Sequence, residues 1–197
     1  AYIMLNLVLF GPPGAGKGTQ SQKLIDHYRL IHISTGDLFR AHISNQTELG
    51  QRVSKLIADG ELVPDSITIA MLEEEISKNP TAKGFIFDGF PRTVAQAAAL
   101  DKFLESKGTA VAGVVALDVT EEELTSRIAK RKAISNRADD DSEKLKKRIE
   151  EYFNKTIHVL PYYEQQGKLT KINGIGDIDA IFEDIKRVVD GFAAIGN

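Results

Sequence analysis

Gly11-Pro12-Pro13-Gly14-Ala15-Gly16-Lys17-Gly18-Thr19 is the stretch that decides the fold. An apolar run, Ile3 to Phe10, leads into it and an amphipathic stretch, Gln20 to Tyr28, leads out. The order is therefore strand, glycine loop, helix. Glycine carries no Cβ and accepts positive φ, so the main chain can close to hydrogen-bond distance around phosphate oxygens. The helix N-terminus that follows offers unpaired N–H groups and the positive end of its dipole, and Lys17 adds a full charge. These features imply a cradle for a nucleoside triphosphate. The general pattern G-x-x-x-x-G-K-[ST] is met through Lys17, but Gly18 stands next and the hydroxyl arrives one place later, at Thr19.

Outward from the loop, short β-like runs alternate with helical ones. Strands are expected at Leu5 to Phe10, Ile31 to Ile33, Phe85 to Phe87, Val111 to Val119 and Leu169 to Ile172. Helices are expected at Lys17 to Tyr28, Val94 to Ser106, Glu121 to Lys132, Ser142 to Gln166 and Ile178 to Ala193. This alternation predicts an α/β fold, a parallel sheet covered on both faces with ligands at the carboxyl ends of its strands. Thr93-x-x-Gln96 and Thr120-x-x-Glu123 have the spacing of capping boxes, and Pro161 should kink or break the long helix that contains it. Two regions interrupt the pattern. Leu38 to Ser44, Leu49 to Ala58 and Ser66 to Lys78 read as consecutive helices without a strand between them, a helical insertion at the rim of the sheet. Ala133 to Asp141 reads as a polar, helix-poor connection between two long helices.

Composition limits the function. A chain of 197 residues with 42% hydrophobic and 27% charged residues suits one soluble domain. It has no cysteine, which excludes disulfides, thiolate metal sites and cysteine nucleophiles. No apolar run approaches a membrane span and no basic-then-apolar leader opens the chain, so a cytoplasmic protein without membrane contact is expected. The net charge of −3 gives no general field for nucleic acid, so a polyanion must meet local cations. Six of the nine arginines, Arg40, Arg92, Arg127, Arg131, Arg137 and Arg148, fall within the motifs below.

Phe85-Ile86-Phe87-Asp88 is an apolar strand ending in a carboxylate. Beside a phosphate loop such a group suits hydrated Mg²⁺, although a turn or helix cap would use the same residue. Arg92 follows just past that strand end. Arg127 and Arg131, spaced i,i+4, share a helix face and repel one another unless an anion joins them; Asp139 to Asp141 could serve instead as neutralising partners. The four histidines show no metal-ligand spacing.

Together these motifs resemble the adenylate kinases, over essentially the whole chain. The resemblance rests on Gly11 to Gln20, Ile33-Ser34-Thr35-Gly36-Asp37-Leu38, Gly60-Glu61-Leu62-Val63-Pro64-Asp65, Asp88-Gly89-Phe90-Pro91-Arg92-Thr93, the Arg127/Arg131 pair and Arg137-Ala138-Asp139-Asp140. The family loop normally reads Gly-Lys-Gly-Thr, which accounts for the displaced hydroxyl. What the resemblance implies is a three-layer P-loop sandwich forming one nucleoside monophosphate kinase domain over 1–197, with a helical monophosphate-binding lobe at 34–63 and a short lid at 131–141. The reaction implied is reversible transfer of the terminal phosphoryl group of Mg-ATP to AMP, giving two ADP.

It assigns ATP to Gly14, Ala15, Gly16, Lys17, Gly18, Thr19, Arg127, Arg131 and the main chain near Gly176. AMP falls to Thr35, Arg40, Glu61, Leu62, Val63, Gly89, Phe90, Pro91, Arg92, Gln96, Arg137 and Arg148. Lys17, Arg92, Arg131, Arg137 and Arg148 would be catalytic, and Asp88 would orient Mg²⁺ through water. With the short lid and no cysteine, structural zinc is not expected. Thr35 and Gln96 favour AMP where uridylate-cytidylate kinases, the alternative acceptors' enzymes, typically have Ala and Asn. A P-loop switch is a second alternative, but Asn154-Lys155-Thr156-Ile157 lacks the final aspartate of a guanine-selective motif. Lobes that swing freely suggest a monomer whose partners are small nucleotides.

Overall fold

The computed structural model describes residues 4–135 and 139–195, without the side chains of 131–142 and 193–195. Its sheet contains β1 (Leu7–Phe10), β2 (Ile31–Ser34), β3 (Phe85–Asp88), β4 (Gly113–Asp118) and β5 (Leu169–Asn173). They run parallel in the order β2-β3-β1-β4-β5. The helices are α1 (Lys17–Tyr28), α2 (Thr35–Ser44), α3 (Glu48–Ala58), α4 (Asp65–Ser77), α5 (Val94–Ser106), α6 (Glu121–Ser135), α7 (Asp139–Asn154), α8 (Leu160–Gln165) and α9 (Ile178–Ile195). No helix among the described residues is long and apolar enough to cross a membrane. From β1 the chain leaves past β3 to β2, and from β3 it crosses to β4 on the other side of β1. The carboxyl ends of β1 and β3 therefore flank the topological switch point, where an open α/β sheet forms its crevice.

Period-two alternation builds a core on each face of the sheet. Val8, Phe10, Phe85, Phe87, Val114 and Ala116 pack toward Leu100 and Leu104 of α5 and Tyr163 of α8. Leu7, Leu9, Ile86, Val115 and Leu117 pack toward Leu24 of α1, Ile128 of α6 and Ile185 of α9. Each fully buried large apolar side chain, Phe85 and Phe87 among them, contributes about 1.5–3 kcal/mol of transfer free energy. Val53, Ile67 and Met71 form a separate small core within α3 and α4, packed against Phe39 of α2. The helical insertion thus has apolar contacts of its own.

Three expectations are corrected. β1 begins at Leu7 rather than Leu5, because the buried Asn6 side chain links the neighbouring segments. Its amide donates to Thr109 Oγ1 and the Ala110 carbonyl, and its carbonyl accepts from Phe85 N–H. The long segment expected over Ser142 to Gln166 is α7, a 3₁₀ turn at Thr156–Val159, and α8. Pro161 sits in the first turn of α8, where its missing N–H costs nothing. The break lies upstream, because an α-helix through Ile157 would bring that carbonyl against the proline ring. Finally, α6 continues to Ser135 and α7 starts at Asp139, so helix covers much of the stretch expected as a polar connection.

Candidate active site

The phosphate loop joins β1 to α1. Gly14 and Gly16 both have φ of 87°, the left-handed conformation that a side chain disfavours; Gly11 and Gly18 do not use it. Gly16 caps α1, and the first helical bond runs from Gln20 N–H to the Gly16 carbonyl at 3.1 Å. The N–H groups of Lys17, Gly18 and Thr19 consequently have no acceptor within the helix. Lys17 Nζ lies 2.8 Å from Asp88 Oδ1 at the end of β3. The other carboxylate oxygen, Oδ2, accepts from His32 Nε2 at 3.2 Å, since an ionised carboxylate can only accept. The bond from His32, supported by the charge of Lys17, outweighs burial and holds the Asp88 carboxyl well below its usual range. Asp88 is thus a lasting negative charge beside the loop.

Past β3 the chain turns through Gly89, with φ of 77°, where a Cβ would stand 3.2 Å from Thr35 Oγ1 and 3.5 Å from Arg92 Nη2. The Gly89 carbonyl accepts from both Thr35 Oγ1 at 3.2 Å and Arg92 Nε at 2.9 Å. Gln96 caps this turn: Thr93 Oγ1 accepts from Gln96 N–H, and Gln96 Oε1 accepts from Arg92 N–H at 2.8 Å. The capping box is therefore shifted by one residue. At α6, Thr120 Oγ1 accepts from Glu123 N–H, but the Glu123 carboxylate pairs with Arg127 instead of reaching back.

A cleft of about 100 Å³ opens between these parts, lined by Gly11, Pro13 and Lys17 of the loop, by Gly89 to Arg92, and by Arg148, Glu151, Tyr152 and Thr156. Tyr152 is buried, and burial, with the negative charge of Asp118, pushes its phenol up to about 12. It is therefore a neutral wall of the cleft. Arg127 closes the opposite side of the loop, donating from Nη1 to the Gly14 carbonyl at 2.9 Å and from Nη2 to the Gly174 carbonyl at 3.3 Å. Gly176 lies in the exposed turn between β5 and α9. The buried Gln20 ties the start of α1 to the start of α9 through the Ile178 carbonyl at 3.1 Å.

Not every expected residue joins the cleft. Arg40 is exposed on α2 and paired with Asp37, Glu61 is exposed, and Leu62 is 92% exposed between α3 and α4, while Val63 packs on the small insertion core. Arg131 lies one turn beyond Arg127 on α6, with its side chain outside the described residues, and Arg137 is outside them altogether.

Lys17 of the glycine loop and the guanidinium groups of Arg92 and Arg148 thus share one cleft, with the strand-ending carboxylate of Asp88 against Lys17. Residues 9–168 match the family described as adenylate kinase. An adenylate kinase of Flavobacterium psychrophilum is 50% identical over 188 residues, covering 95% of this chain and 99% of the relative. One from Phenylobacterium zucineum is 48% identical, covering 96% of this chain and all of the relative, and one from Bacteroides fragilis is 46% identical. The chain belongs to the adenylate kinase family. It is an enzyme of the P-loop kinase class, a transferase that binds nucleotides.

For an adenylate kinase relative, the loop, Asp88 and Arg92 are legible as motifs. His32, Glu151, Tyr152 and Thr156 are not. A signal existed for Glu151 and Tyr152, which stand three and four residues after Arg148 on α7 and so share its face.

Proposed function

We propose that this cleft carries reversible, in-line transfer of the terminal phosphoryl group from Mg-ATP to AMP, giving two ADP. The observation that carries the reading is the meeting of Lys17, Arg92 and Arg148 on one cleft with the phosphate loop. Backbone N–H groups of Gly14 to Thr19 and the Lys17 ammonium hold the ATP phosphates. Arg127 spans the phosphate loop and the turn near Gly176 that borders adenine, and Arg131 reaches the β/γ region. Arg40 and Arg92 take the AMP phosphate, Thr35 and Gln96 meet its base, and Glu61 to Val63 with Gly89 to Pro91 complete that site. Arg137 and Arg148 bridge to the group in transfer.

The acceptor phosphate is already anionic, so no general base is needed; the terminal P–O bond of ATP breaks as a new P–O bond to AMP forms. Catalysis is positioning plus charge stabilisation. Among the described residues no three carboxylate or imidazole groups converge as a protein-only cage. A single lasting carboxylate suits Mg²⁺, which retains waters and takes phosphate oxygens as ligands. Asp88 would hold it, and bound there it would neutralise charge on the phosphates. Lys17, paired with Asp88 through Oδ1, would turn to the phosphates and leave that carboxylate oxygen free for the ion's hydration shell.

Water competes as acceptor, so residues 34–63 and 131–141 act as lobe and lid that close over both nucleotides. Val53 of the lobe packs on Ile67 and Met71 of α4, so α4 is the seat on which the lobe would swing. A lobe and a lid that must both swing freely support a working monomer. A coupled assay should give rapid turnover with AMP and much slower turnover with UMP or CMP. Slow hydrolysis without acceptor dependence would instead indicate a switch. Arg92→Ala, an exposed position, should cost about 10²–10³ in kcat/KM with an unchanged melting curve; an active variant contradicts the assignment.

A further inference from the structure

A side-chain amide has nearly the same shape after a half-turn that exchanges its oxygen and nitrogen, so an amide that reads a base needs something to fix its sense. Gln96 has two such partners. Its Oε1 accepts from the Arg92 main-chain N–H at 2.8 Å, and its Nε2 donates to Asp65 Oδ1 at 3.0 Å. A main-chain N–H can only donate and a carboxylate can only accept. Turning the amide over would set nitrogen against N–H and oxygen against carboxylate, exchanging two hydrogen bonds for two repulsive contacts. Thr93 Oγ1 meanwhile fixes the Gln96 backbone by accepting its N–H. Each end of the amide keeps one unused position, a second lone pair on Oε1 and a second N–H on Nε2.

We infer that Asp65, the first residue of α4, is a specificity-determining positioning residue that locks the Gln96 amide in the sense that matches adenine. The inference rests on the reading of Gln96 as a base-facing residue. Adenine presents a donor at N6 and an acceptor at N1; hypoxanthine presents an acceptor at O6 and a donor at N1. One sense of the amide fits the first and the opposite sense fits the second. Asparagine at position 65 can present either an oxygen or a nitrogen, so it no longer opposes the turned-over amide, and of the two partners the Arg92 N–H alone still does.

The test measures kcat/KM of the full chain with AMP and with IMP for wild type, Asp65→Asn and Gln96→Leu. Asp65→Asn should lower the AMP-over-IMP ratio by about tenfold, through KM for AMP with kcat within about twofold. If Gln96→Leu collapses the ratio while Asp65→Asn leaves it unchanged, the lock is overturned. Equal losses for AMP and IMP in Asp65→Asn overturn it too, because mere anchoring of the lobe cannot tell the bases apart. A ratio unmoved by Gln96→Leu overturns the underlying reading of Gln96 and the lock with it.

Discussion

Asp88 receives His32 on one oxygen and Lys17 on the other, and this pair of contacts makes a pH prediction. The folded carboxyl titrates below its ordinary value of 3.8. A carboxyl whose folded value is lowered contributes stability that is complete above the unfolded value and is lost as pH falls toward the folded one. The stability advantage of wild type over Asp88→Asn should therefore shrink between about pH 5 and pH 3. Urea midpoints of both proteins across that range check it; an advantage that grows on acidification would contradict the pairing. Residues such as Asp88 and Lys17 were legible because their chemistry is written in contiguous motifs. His32 and Asp65 were not, since each acquires its meaning from a partner on another element, 56 and 31 residues away.

Elements were legible where periodicity alone sets them: α1 and α5 have the expected bounds. The break that Pro161 imposes was legible too, though not its place ahead of α8, and the late start of β1 beyond Asn6 was not. α4 illustrates a further limit, because neighbouring residues on it serve different cores. Met71 packs with Val53 and Ile67 in the insertion, whereas Leu72 packs with the sheet. A hydrophobic run in sequence does not reveal which core each residue joins. Met71→Ala, at a site 1% exposed, should cost about 2–5 kcal/mol. If the insertion opens as its own unit, hydrogen exchange should quicken in α2 and α3 while amides of β1, β3 and β4 keep their protection. Equal acceleration in the sheet would show one cooperative body instead.

At the scale of the whole molecule, an enzyme with net charge −3 must still draw in two anionic nucleotides. Distance decides which field wins. Three net negative charges spread over a body of about 16 Å radius of gyration repel a doubly charged nucleotide by about 0.3 kcal/mol at 0.1 M salt. Lys17, Arg92 and Arg148 line the cleft with Glu151, and Asp88 stands against Lys17; the net positive charge of one, about 6 Å from the same nucleotide, attracts it by about 0.8 kcal/mol at 0.1 M and about 0.2 kcal/mol at 1 M. The local attraction exceeds the global repulsion at either ionic strength, and it is the larger quantity that salt removes. kcat/KM for AMP should therefore fall, by about 1.5-fold to twofold, between about 0.1 M and 1 M KCl. Measured initial rates that rise or stay level with salt would mean that these cations do not face the nucleotide, and that the acidic surface governs its approach.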